Sequence, residues 1–392
     1  MKTKNACIIS KFIYENDTRL QQQVSILEDN DFYIDVICQL DEKKSINLRN
    51  NVTIYGVSTP ARKDTIIKYI FNTVKFSIPA FLKLQKLSLA KKYDIVIVHT
   101  LPEFLVFTTV IQKLFGAKII LDIRDTSVEL FDSKWNNKKR KIFRKLVVLL
   151  ANFSCYYADK IIVASPGFKE KLLERKIKEN KITIIFNSAD TKIFKFDNQR
   201  KFEKIDTDLK IIYHGSIAER FGIDVAIKAM KYIVDVIPNT KLNIYGFYDT
   251  EYKLVLKKLI LKLGLEKNVI LNGRESLESI YTKIKEADLG IVPYIDDFFM
   301  QLAFSTKLFE YVASGIPVVT SRLRPAESIF SDESLFFVKA RNPKELADKI
   351  IFVCNNPEIR KLQVQNAYKD YMKISSEIMN KRFLNIIEDI EH

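Results

Sequence analysis

Short runs of apolar, often β-branched residues alternate with longer amphipathic stretches along the whole chain. Many of the short runs are apolar on both faces, which is typical of buried parallel strands. The pattern predicts a first series of strands at Ala6–Ser10, Tyr33–Cys38, Val52–Tyr55, Ile95–His99, Lys118–Ile123, Lys160–Ala164 and Ile182–Phe186. It predicts a second series at Lys210–His214, Lys241–Tyr245, Val269–Asn272, Leu289–Val292 and Val318–Thr320. Helix-length segments separate the strands, so the chain repeats a β-α pattern twice.

The repeated pattern predicts two domains. A hydrophobic core seldom grows beyond roughly 250–300 residues, and this chain has 392. The segment Lys192–Asp208 is polar and lacks apolar periodicity, so we interpret it as a linker. We expect α/β architecture, with one Rossmann-like, doubly wound domain over residues 1–195 and another over 205–374. Ligands of such sheets bind at the carboxyl ends of the strands, which predicts a site in a cleft between two facing domains.

Several classes of protein are disfavoured. No apolar stretch reaches the ~18–20 residues of a membrane-spanning helix, and residues 1–10 lack the pattern of a signal peptide. We therefore expect a cytoplasmic protein. The four cysteines are far apart and form no CxxC motif, which favours buried free thiols. The three histidines are too few for a histidine-rich metal site, whereas an all-carboxylate site stays open.

The net charge of +15 is concentrated in one half of the chain. Residues 1–200 hold 35 Lys and Arg against 21 Asp and Glu, whereas residues 201–392 hold 28 against 27. The cations cluster in Lys134–Lys145 and in Arg62–Lys92, beside large apolar residues. This combination suggests amphipathic helices on an anionic membrane surface, and a solvated basic face is the equally weighted alternative. Nucleic acid ranks last because no nucleic-acid-reading motif is present.

The stretch Ser305–Val319 is the most informative segment. Ser305 can cap a helix in which Lys307 and Glu310 share one polar face. A helix amino terminus with a lysine in its first turn suits a diphosphate, and the carboxylate one turn later could accept hydrogen bonds from a ribose diol. The spacing alone favours an ordinary capped helix with a surface Lys/Glu pair over such a site.

Two strand ends add further candidates. Gly215 and Gly222 follow the strand that ends at His214, and they permit a tight turn and close approach of a phosphate to the backbone. Arg220 in the same loop could pair with that anion. His99 ends another strand, where a sheet delivers side chains to a ligand, although a strand-end histidine is more often a hydrogen-bonded structural residue.

Together these segments resemble the family 4 retaining glycosyltransferases, which have the GT-B fold. The matching pieces are Asn16–Arg19, Asp94–Pro102, Asp122–Asp125, Asn187–Asp190, His214–Asp224, Gly273–Arg274, Ala287–Asp288 and Ser305–Val319. The resemblance implies a nucleotide diphosphate sugar, linked to UDP or GDP, as donor, with no cofactor and no metal ion. It also implies that a terminal helix over residues 375–392 crosses back to the amino-terminal domain.

The resemblance assigns roles by position. Arg220 and Lys307 would stabilise the leaving diphosphate, Glu310 would hold the ribose, and His99 would touch the donor sugar near the reacting carbon. The implied catalytic residues are His99, Arg220 and Lys307. The implied donor site also includes Gly215, Ser216, Gly273, Arg274, Gln301, Leu302, Ala303, Phe304, Ser305 and Glu310. Asp17, Arg19 and Asp125 would line the acceptor side.

The sequence departs from the family pattern at two positions. Leu302 stands where many members carry a second glutamate that contacts the donor sugar, so backbone groups of residues 300–304 or the Gln301 side chain would have to replace it. Ser216 stands where an arginine is usual, which leaves Arg220 as the substitute. No catalytic base is assigned, because the usual proposal for this family is front-face attack assisted by the departing diphosphate.

The expected function is transfer of a sugar, with retention, to a saccharide acceptor in the synthesis of surface polysaccharide or another glycan. The basic amino-terminal half suggests a lipid-linked acceptor at the inner face of the cytoplasmic membrane. A sugar-nucleotide epimerase of the same architecture and a non-catalytic membrane-bound scaffold are the alternatives.

Overall fold

The computed structural model describes residues 4–40, 45–58, 66–135, 141–248 and 250–391, with backbone alone at residues 58, 66–70, 134, 135 and 391. The chain forms two compact units. The first unit contains residues 1–186 and 380–392, and the second unit contains residues 187–379. Each unit is an α/β structure around one largely parallel sheet.

An eight-stranded sheet forms the centre of the first unit, in the order β3-β4-β2-β1-β5-β6-β7-β8. Only β3 is antiparallel to its neighbour. The strands are β1 (Lys4–Ile13), β2 (Phe32–Gln39), β3 (Ser45–Arg49), β4 (Val52–Ser58), β5 (Ile95–His99), β6 (Lys118–Ile123), β7 (Lys160–Val163) and β8 (Ile182–Ile184). The helices are α1 (Thr18–Glu28), α2 (Ile66–Ser88), α3 (Val110–Leu114), α4 (Ser127–Trp135), α5 (Lys141–Tyr157) and α6 (Pro166–Glu174), with a 3-10 segment at Glu103–Thr109.

A six-stranded parallel sheet forms the centre of the second unit, in the order β11-β10-β9-β12-β13-β14. The strands are β9 (Lys210–His214), β10 (Lys241–Tyr245), β11 (Val269–Leu271), β12 (Leu289–Val292), β13 (Val318–Ser321) and β14 (Phe336–Val338). The helices are α7 (Ile223–Val234), α8 (Thr250–Leu263), α9 (Leu277–Glu286), α10 (Thr306–Ala313), α11 (Arg324–Glu327), α12 (Pro343–Asn355) and α13 (Pro357–Met372). The strand order reverses between β9 and β12, as in Rossmann sheets, so a ligand crevice is expected beside their carboxyl ends.

The prediction of two α/β series is confirmed, and all the strands predicted from the sequence are present. Two strands were missed. β3 is an edge strand whose side chains are almost all exposed, so it lacks the apolar run of a buried strand. β14 has three residues, which is too short for a periodic signal.

The segment interpreted as a linker lies within the second unit. Arg200 donates hydrogen bonds to the carbonyl oxygens of Ala287 and Lys285, at 2.8 and 3.0 Å. The ring of Phe196 lies 4.0 Å from that of Tyr368. Side-chain packing and main-chain bonds therefore attach residues 192–208 to this unit, and the boundary in the chain falls at residues 186 and 187.

The last helix, α14 (Ser376–Glu391), begins in the second unit, and its residues from Asn380 onward belong to the first. Gln22 on α1 donates a 3.0 Å hydrogen bond to the side chain of Asn380. Phe383 and Ile387 are buried, which is the apolar face that the sequence pattern indicated. Across residues 4–40, 45–58, 66–135, 141–248 and 250–391, no helix is long and apolar enough to cross a membrane.

Gly290 on β12 allows α10 to pack against the sheet. A Cβ atom at this position would lie 2.6 Å from the ring of Tyr311 on α10. The hydroxyl of Tyr311 accepts a 3.2 Å hydrogen bond from the backbone of His214 and donates one of 3.3 Å to the carbonyl of Ile212. Tyr311 therefore joins α10 to β9, and both elements carry candidate site residues.

We predict that Gly290→Ala destabilises the protein by about 1–3 kcal/mol, because the added methyl group overpacks the contact with Tyr311. Gly273→Ala is the matched control, since a Cβ there meets no atom within 4 Å. Calorimetric unfolding of the full chain measures both variants. Equal melting temperatures for the two variants would contradict this account of the packing.

Candidate active site

The loop after β9 brings the backbone of the second unit close to a lysine. Gly215 has φ +108°, a conformation that favours glycine. A Cβ atom there would lie 2.6 Å from Cε and 2.8 Å from Nζ of Lys307. Lys307 lies in the first turn of α10, so Gly215 allows its side chain to lie directly over the loop at the carboxyl edge of the sheet.

Lys307 is largely buried, with 7% of its surface exposed. Its Nζ donates a 2.8 Å hydrogen bond to the hydroxyl of Tyr294. The same nitrogen lies 5.2, 5.1 and 5.2 Å from the ring centres of Tyr213, Phe221 and Tyr294. Aromatic faces stabilise a cation by their quadrupoles. The lysine thus forms part of a buried aromatic cage, whereas the sequence had placed it on an exposed polar face.

Glu310 lies one turn later, and only 15% of its side chain is exposed. Its Oε2 is 3.1 Å from Nε2 of His214, but the N–H direction of the imidazole makes no well-aligned hydrogen bond with it. Burial raises the pKa of Glu310 to about 7, against the opposing effect of Lys307. Burial and the charge of Lys307 lower the pKa of His214 to about 3. His214 is therefore neutral near pH 7, and this contact is not an ion pair.

Ser305 stands at the cap position of α10, but its hydroxyl makes no capping hydrogen bond. It donates instead to the hydroxyl of Tyr294, at 3.1 Å. The predicted position of the cap is thus correct and the predicted hydrogen bond is wrong. The backbone N–H of Leu308 donates to the Ser305 carbonyl at 3.2 Å. The first N–H groups of a helix otherwise have no partner within it, so those of Thr306 and Lys307, with the Lys307 ammonium group, form an anion-binding arrangement.

In the segment that precedes α10, the backbone N–H groups of residues 301–303 are engaged in local turn hydrogen bonds. The backbone N–H groups of Gln301, Leu302 and Ala303 donate to carbonyl oxygens within residues 297–299. The Oε1 atom of Gln301 accepts a 3.1 Å hydrogen bond from the backbone of Arg324. Leu302 is buried, and Phe304 stacks on Phe309 with ring centres 4.3 Å apart. These N–H groups are therefore not available to replace the family's second glutamate in this conformation.

The remaining donor candidates lie at the same edge of the sheet. Arg220 is half-buried, with its guanidinium 5.2 Å from the ring centre of Phe299 and its Nε 3.9 Å from Asp297. Ser216 is exposed, and its carbonyl accepts a 2.7 Å hydrogen bond from the hydroxyl of Tyr213. Gly273 and Arg274 are exposed after β11, where the Gly273 carbonyl accepts from Gly246 at 2.9 Å.

In the first unit, His99 is completely buried at the end of β5. Its Nε2 lies 2.7 Å from Oε1 of Gln23, and its Nδ1 lies 2.5 Å from Nη2 of Arg124. Since an arginine can only donate, Nδ1 accepts and Nε2 carries the proton. Burial and the neighbouring Arg124 hold the pKa of His99 well below its usual range. Both ring nitrogens are thus engaged inside this unit.

The acceptor-side candidates belong to the same buried network. Arg19 donates to both carboxylate oxygens of Asp122, at 2.9 and 2.7 Å, and to the carbonyl of Ile185 at 3.0 Å. Asp17 caps α1 through the backbone of Leu20, at 3.0 Å, and pairs with Arg124 at 2.6 Å. These side chains hold β5, β6 and α1 together. Asp125 is half-buried beside them, and its carbonyl accepts a 3.3 Å hydrogen bond from Thr100.

Sequence reasoning missed several members of these two clusters. Asp122 is the register partner of His99 on the neighbouring strand, a pairing that the sequence does not state. Gln23 connects the two, because its Nε2 donates a 2.6 Å hydrogen bond to Asp122. In the second unit the missed residues are the aromatic ones around Lys307. Within the described residues, no group of three or more His, Cys, Asp or Glu side chains could hold a metal ion.

Two family models match this chain in succession. Residues 194–370 match the model described as glycosyl transferases group 1, and residues 25–193 match that of glycosyltransferase family 4. Together they span most of the sequence. This chain is therefore similar to glycosyltransferases of these two descriptions, one in each half.

The curated relatives that match this chain are distant. The capsular polysaccharide biosynthesis glycosyltransferase CapM of Staphylococcus aureus is 25% identical over 60% of this chain and 62% of its own length. The uncharacterized glycosyltransferase MJ1178 of Methanocaldococcus jannaschii is 24% identical over 56% of each chain. The alignments thus span about three fifths of the relatives' length.

Several solved structures are similar in fold to this protein over nearly its whole length. The sucrose-phosphate synthase of Thermosynechococcus elongatus has a TM-score of 0.78 at 15% identity, over 99% of both chains. Anabaena Alr3699/HepE, solved in complex with UDP-glucose, has a TM-score of 0.72 at 14% identity, over 98% of this chain and 99% of its own. These neighbours confirm the GT-B fold class that the sequence predicted.

The raised pKa of Glu310 predicts a pH-dependent effect of Glu310→Gln. As pH rises from about 4.5 to about 7, the carboxyl ionises in the unfolded chain before it ionises in the folded one, so the wild type loses stability. The loss is on the order of 3 kcal/mol, at about 1.36 kcal/mol per pKa unit between about 4.5 and about 7. Glutamine does not titrate, so the variant gains relative stability across this window and keeps it above pH 7.

Urea unfolding at several pH values measures the difference between variant and wild type. Glu219→Gln, at an exposed glutamate of the same unit, is the control and should show no such rise. A difference that stays constant between pH 4.5 and 8 would contradict the buried setting of Glu310.

Proposed function

We propose that this protein transfers a sugar from a nucleotide diphosphate sugar to a saccharide acceptor. The observation that carries the proposal is the buried ammonium group of Lys307, which lies over Gly215 at the amino terminus of α10. The site is at the carboxyl edge of a Rossmann-type sheet, beside the point where the strand order reverses. This combination suits a diphosphate.

The chemistry of the leaving group supports the same assignment. When the bond between the sugar and the diphosphate breaks, negative charge develops on the diphosphate, and preorganised cations and N–H groups stabilise it. Lys307 is held by Tyr294 before any ligand binds, so little reorganisation is needed. Arg220 is the second cation of this edge. Glu310 is placed one turn further along α10, where its carboxylate form can accept hydrogen bonds from ribose hydroxyl groups.

The donor is proposed to be linked to UDP or GDP. Anabaena Alr3699/HepE has the same fold and was solved with UDP and with UDP-glucose, which supports a uridine nucleotide. We propose transfer with retention through front-face attack assisted by the departing diphosphate, with neither a cofactor nor a metal ion. No side chain is assigned as the base.

His99 takes a different place in this proposal from the other implied catalytic residues. Its two nitrogens are engaged by Gln23 and Arg124, so it can touch a donor sugar only after one of these partners moves. We therefore assign donor binding to residues of the second unit, and we propose that His99, Asp17 and Arg19 shape the acceptor side. We propose that Asp125, which is half-buried beside that network, lines the same side.

The acceptor is proposed to be a lipid-linked saccharide at the inner face of the cytoplasmic membrane, in the assembly of a surface polysaccharide or related glycan. The excess of cations in residues 1–200 supports an anionic surface as partner of the first unit. The name of the Staphylococcus aureus relative, which refers to capsular polysaccharide biosynthesis, points to the same kind of product. Nucleic acid is not proposed as a partner.

A panel of UDP-, GDP- and dTDP-sugars tests the activity, with release of nucleoside diphosphate as the readout and membrane lipid extract as the source of acceptor. Transfer predicts release that depends on the acceptor. Interconversion of the donor sugar without stoichiometric release would identify an epimerase instead. Absence of nucleotide binding across the panel would identify a non-catalytic protein and overturn the proposal.

We predict that Lys307→Met weakens binding of the nucleoside diphosphate by about tenfold to a hundredfold, since a charge-assisted hydrogen bond contributes about 1.5–3 kcal/mol. Methionine fills the aromatic cage without the charge, so folding is preserved better than with alanine. Glu310→Ala should also weaken binding of the nucleoside diphosphate, because it removes the proposed hydrogen bonds to the ribose hydroxyl groups.

Titration calorimetry with UDP and GDP measures both variants. The control is Lys283→Met, which removes a half-exposed cation of the same unit that pairs with Glu286. If Lys307→Met binds the nucleotide as tightly as the control does, the assignment of the donor site is wrong.

A further inference from the structure

An apolar stripe runs along the exposed face of α5. Its members recur every three or four residues, which is the spacing of a single helical face. They are Ile142, Leu146, Leu149, Phe153 and Tyr156, and Ile142 is 85% exposed. The opposite face, with Ala151, Ser154 and Cys155, is buried against the unit. The stripe is therefore not the core-facing side of the helix.

Two neighbouring elements expose similar side chains. On α2 the exposed apolar residues are Phe71, Val74, Ile78 and Leu82. On the 3-10 segment and α3, with the residue that follows, they are Phe107, Val110, Leu114 and Phe115. Phe71 is 66% exposed and Leu114 is 81% exposed. A folded protein exposes single apolar residues as a rule, whereas a large cluster marks an interaction surface.

Side-chain bonds connect these elements to one another. The ring of Phe107 packs edge-on against Tyr157 of α5, with centres 5.4 Å apart. Lys113 on α3 donates a 2.6 Å hydrogen bond to the carbonyl of Tyr157. Gln112 donates to Gln85 and Ser88 of α2, at 3.1 and 2.8 Å. The α2, 3-10, α3 and α5 segments therefore lie side by side on the first unit, and we call the exposed apolar residues of all four the apolar face.

The charges beside the apolar face indicate what covers it. Neither α2 nor α5 contains an aspartate or glutamate. Lys75 and Lys86 flank the stripe of α2, and Lys141 and Lys145 flank that of α5, all of them exposed. A second copy of this chain would bring these lysines against one another. An anionic phospholipid surface satisfies both the apolar residues and the lysines.

We propose that the apolar face is the surface by which this protein inserts into the headgroup region of an anionic membrane. This inference rests on the proposed function, in which the acceptor is lipid-linked. It adds the residues of this chain that would contact the membrane. The basic cluster predicted at Lys134–Lys145 enters this argument only through residues 141–145, because the side chains of residues 134–140 lie outside the described part of the chain. The same holds for residues 62–70 of the other cluster.

Flotation of the full chain with vesicles tests the proposal. We expect binding to phosphatidylglycerol-containing vesicles at low salt, and weaker binding to pure phosphatidylcholine. The variant Leu146→Glu/Leu149→Glu/Phe153→Glu should lose at least tenfold in vesicle affinity. Leu114→Glu, at an exposed position of a different element, should weaken vesicle binding as well. This second variant keeps the proposal testable if the triple variant fails to fold.

The matched control is Leu254→Glu/Val255→Glu/Leu261→Glu, which alters exposed apolar residues on α8 of the second unit. It should float like the wild type. The idea fails if the wild type does not bind anionic vesicles, if Leu114→Glu and the triple variant both float like the wild type, or if the control loses as much affinity as they do. If the wild type forms a stable dimer and the triple variant is monomeric, the apolar face is a dimer interface and the membrane proposal is wrong.

Binding of UDP and GDP by the same proteins separates this proposal from the proposed function. The triple variant should bind the nucleotide as the wild type does, because its changes lie on the first unit. If the wild type floats with vesicles but binds no nucleotide, the membrane-binding proposal is supported and the proposed glycosyl transfer is contradicted. If the wild type binds nucleotide but does not float, the proposed glycosyl transfer keeps its donor site and the membrane-binding proposal is contradicted.

Discussion

Parallel strands that are buried on both faces leave only their ends for polar chemistry. In each unit the central strands are lined by residues such as Ile8, Ile97, Ile211 and Ile291, whose side chains are almost completely buried. Apolar interiors of this kind exclude charge unless it is paired or hydrogen-bonded. The charged residues of the two candidate clusters lie at the carboxyl edge of each sheet, where partners hold them, and their hydrogen bonds and pKa shifts follow from that constraint.

The two units satisfy the constraint differently. In the first unit, Asp17 and Asp122 are matched by Arg124 and Arg19, and His99 lies neutral between them. In the second unit, Lys307 is held by aromatic rings and a hydroxyl, and among the described residues no carboxylate forms a salt bridge with it. A desolvated cation without a salt-bridge partner gains most when an anion binds. This difference is why the donor diphosphate is assigned to the second unit although that half of the chain is almost neutral.

The net charge of the chain is explained by its surface and not by this site. The cations near the apolar face of the first unit are exposed, and the helices that carry them contain no acidic residue. Exposed lysines beside apolar side chains act on a large anionic surface, whereas a diphosphate needs a few positioned groups. The cations of this protein thus lie in two physical settings, and the number of cations in each half does not indicate which setting would bind the proposed donor.

The sequence by itself determined the two α/β series, the loop that carries Gly215 and Arg220, and the helix start that carries Lys307. These features are encoded by short-range periodicity and by glycines at strand ends, which a single sequence displays. Only the tertiary structure decided that Lys307 is buried and Glu310 largely enclosed, that the hydroxyl of Ser305 bonds Tyr294, and that His99 is engaged by Gln23 and Arg124. It also attached residues 192–208 to the second unit and aligned the apolar face of α2, α3 and α5. These outcomes depend on which distant residues the sheets bring together, and burial and pKa follow from those neighbours, which the local pattern does not contain.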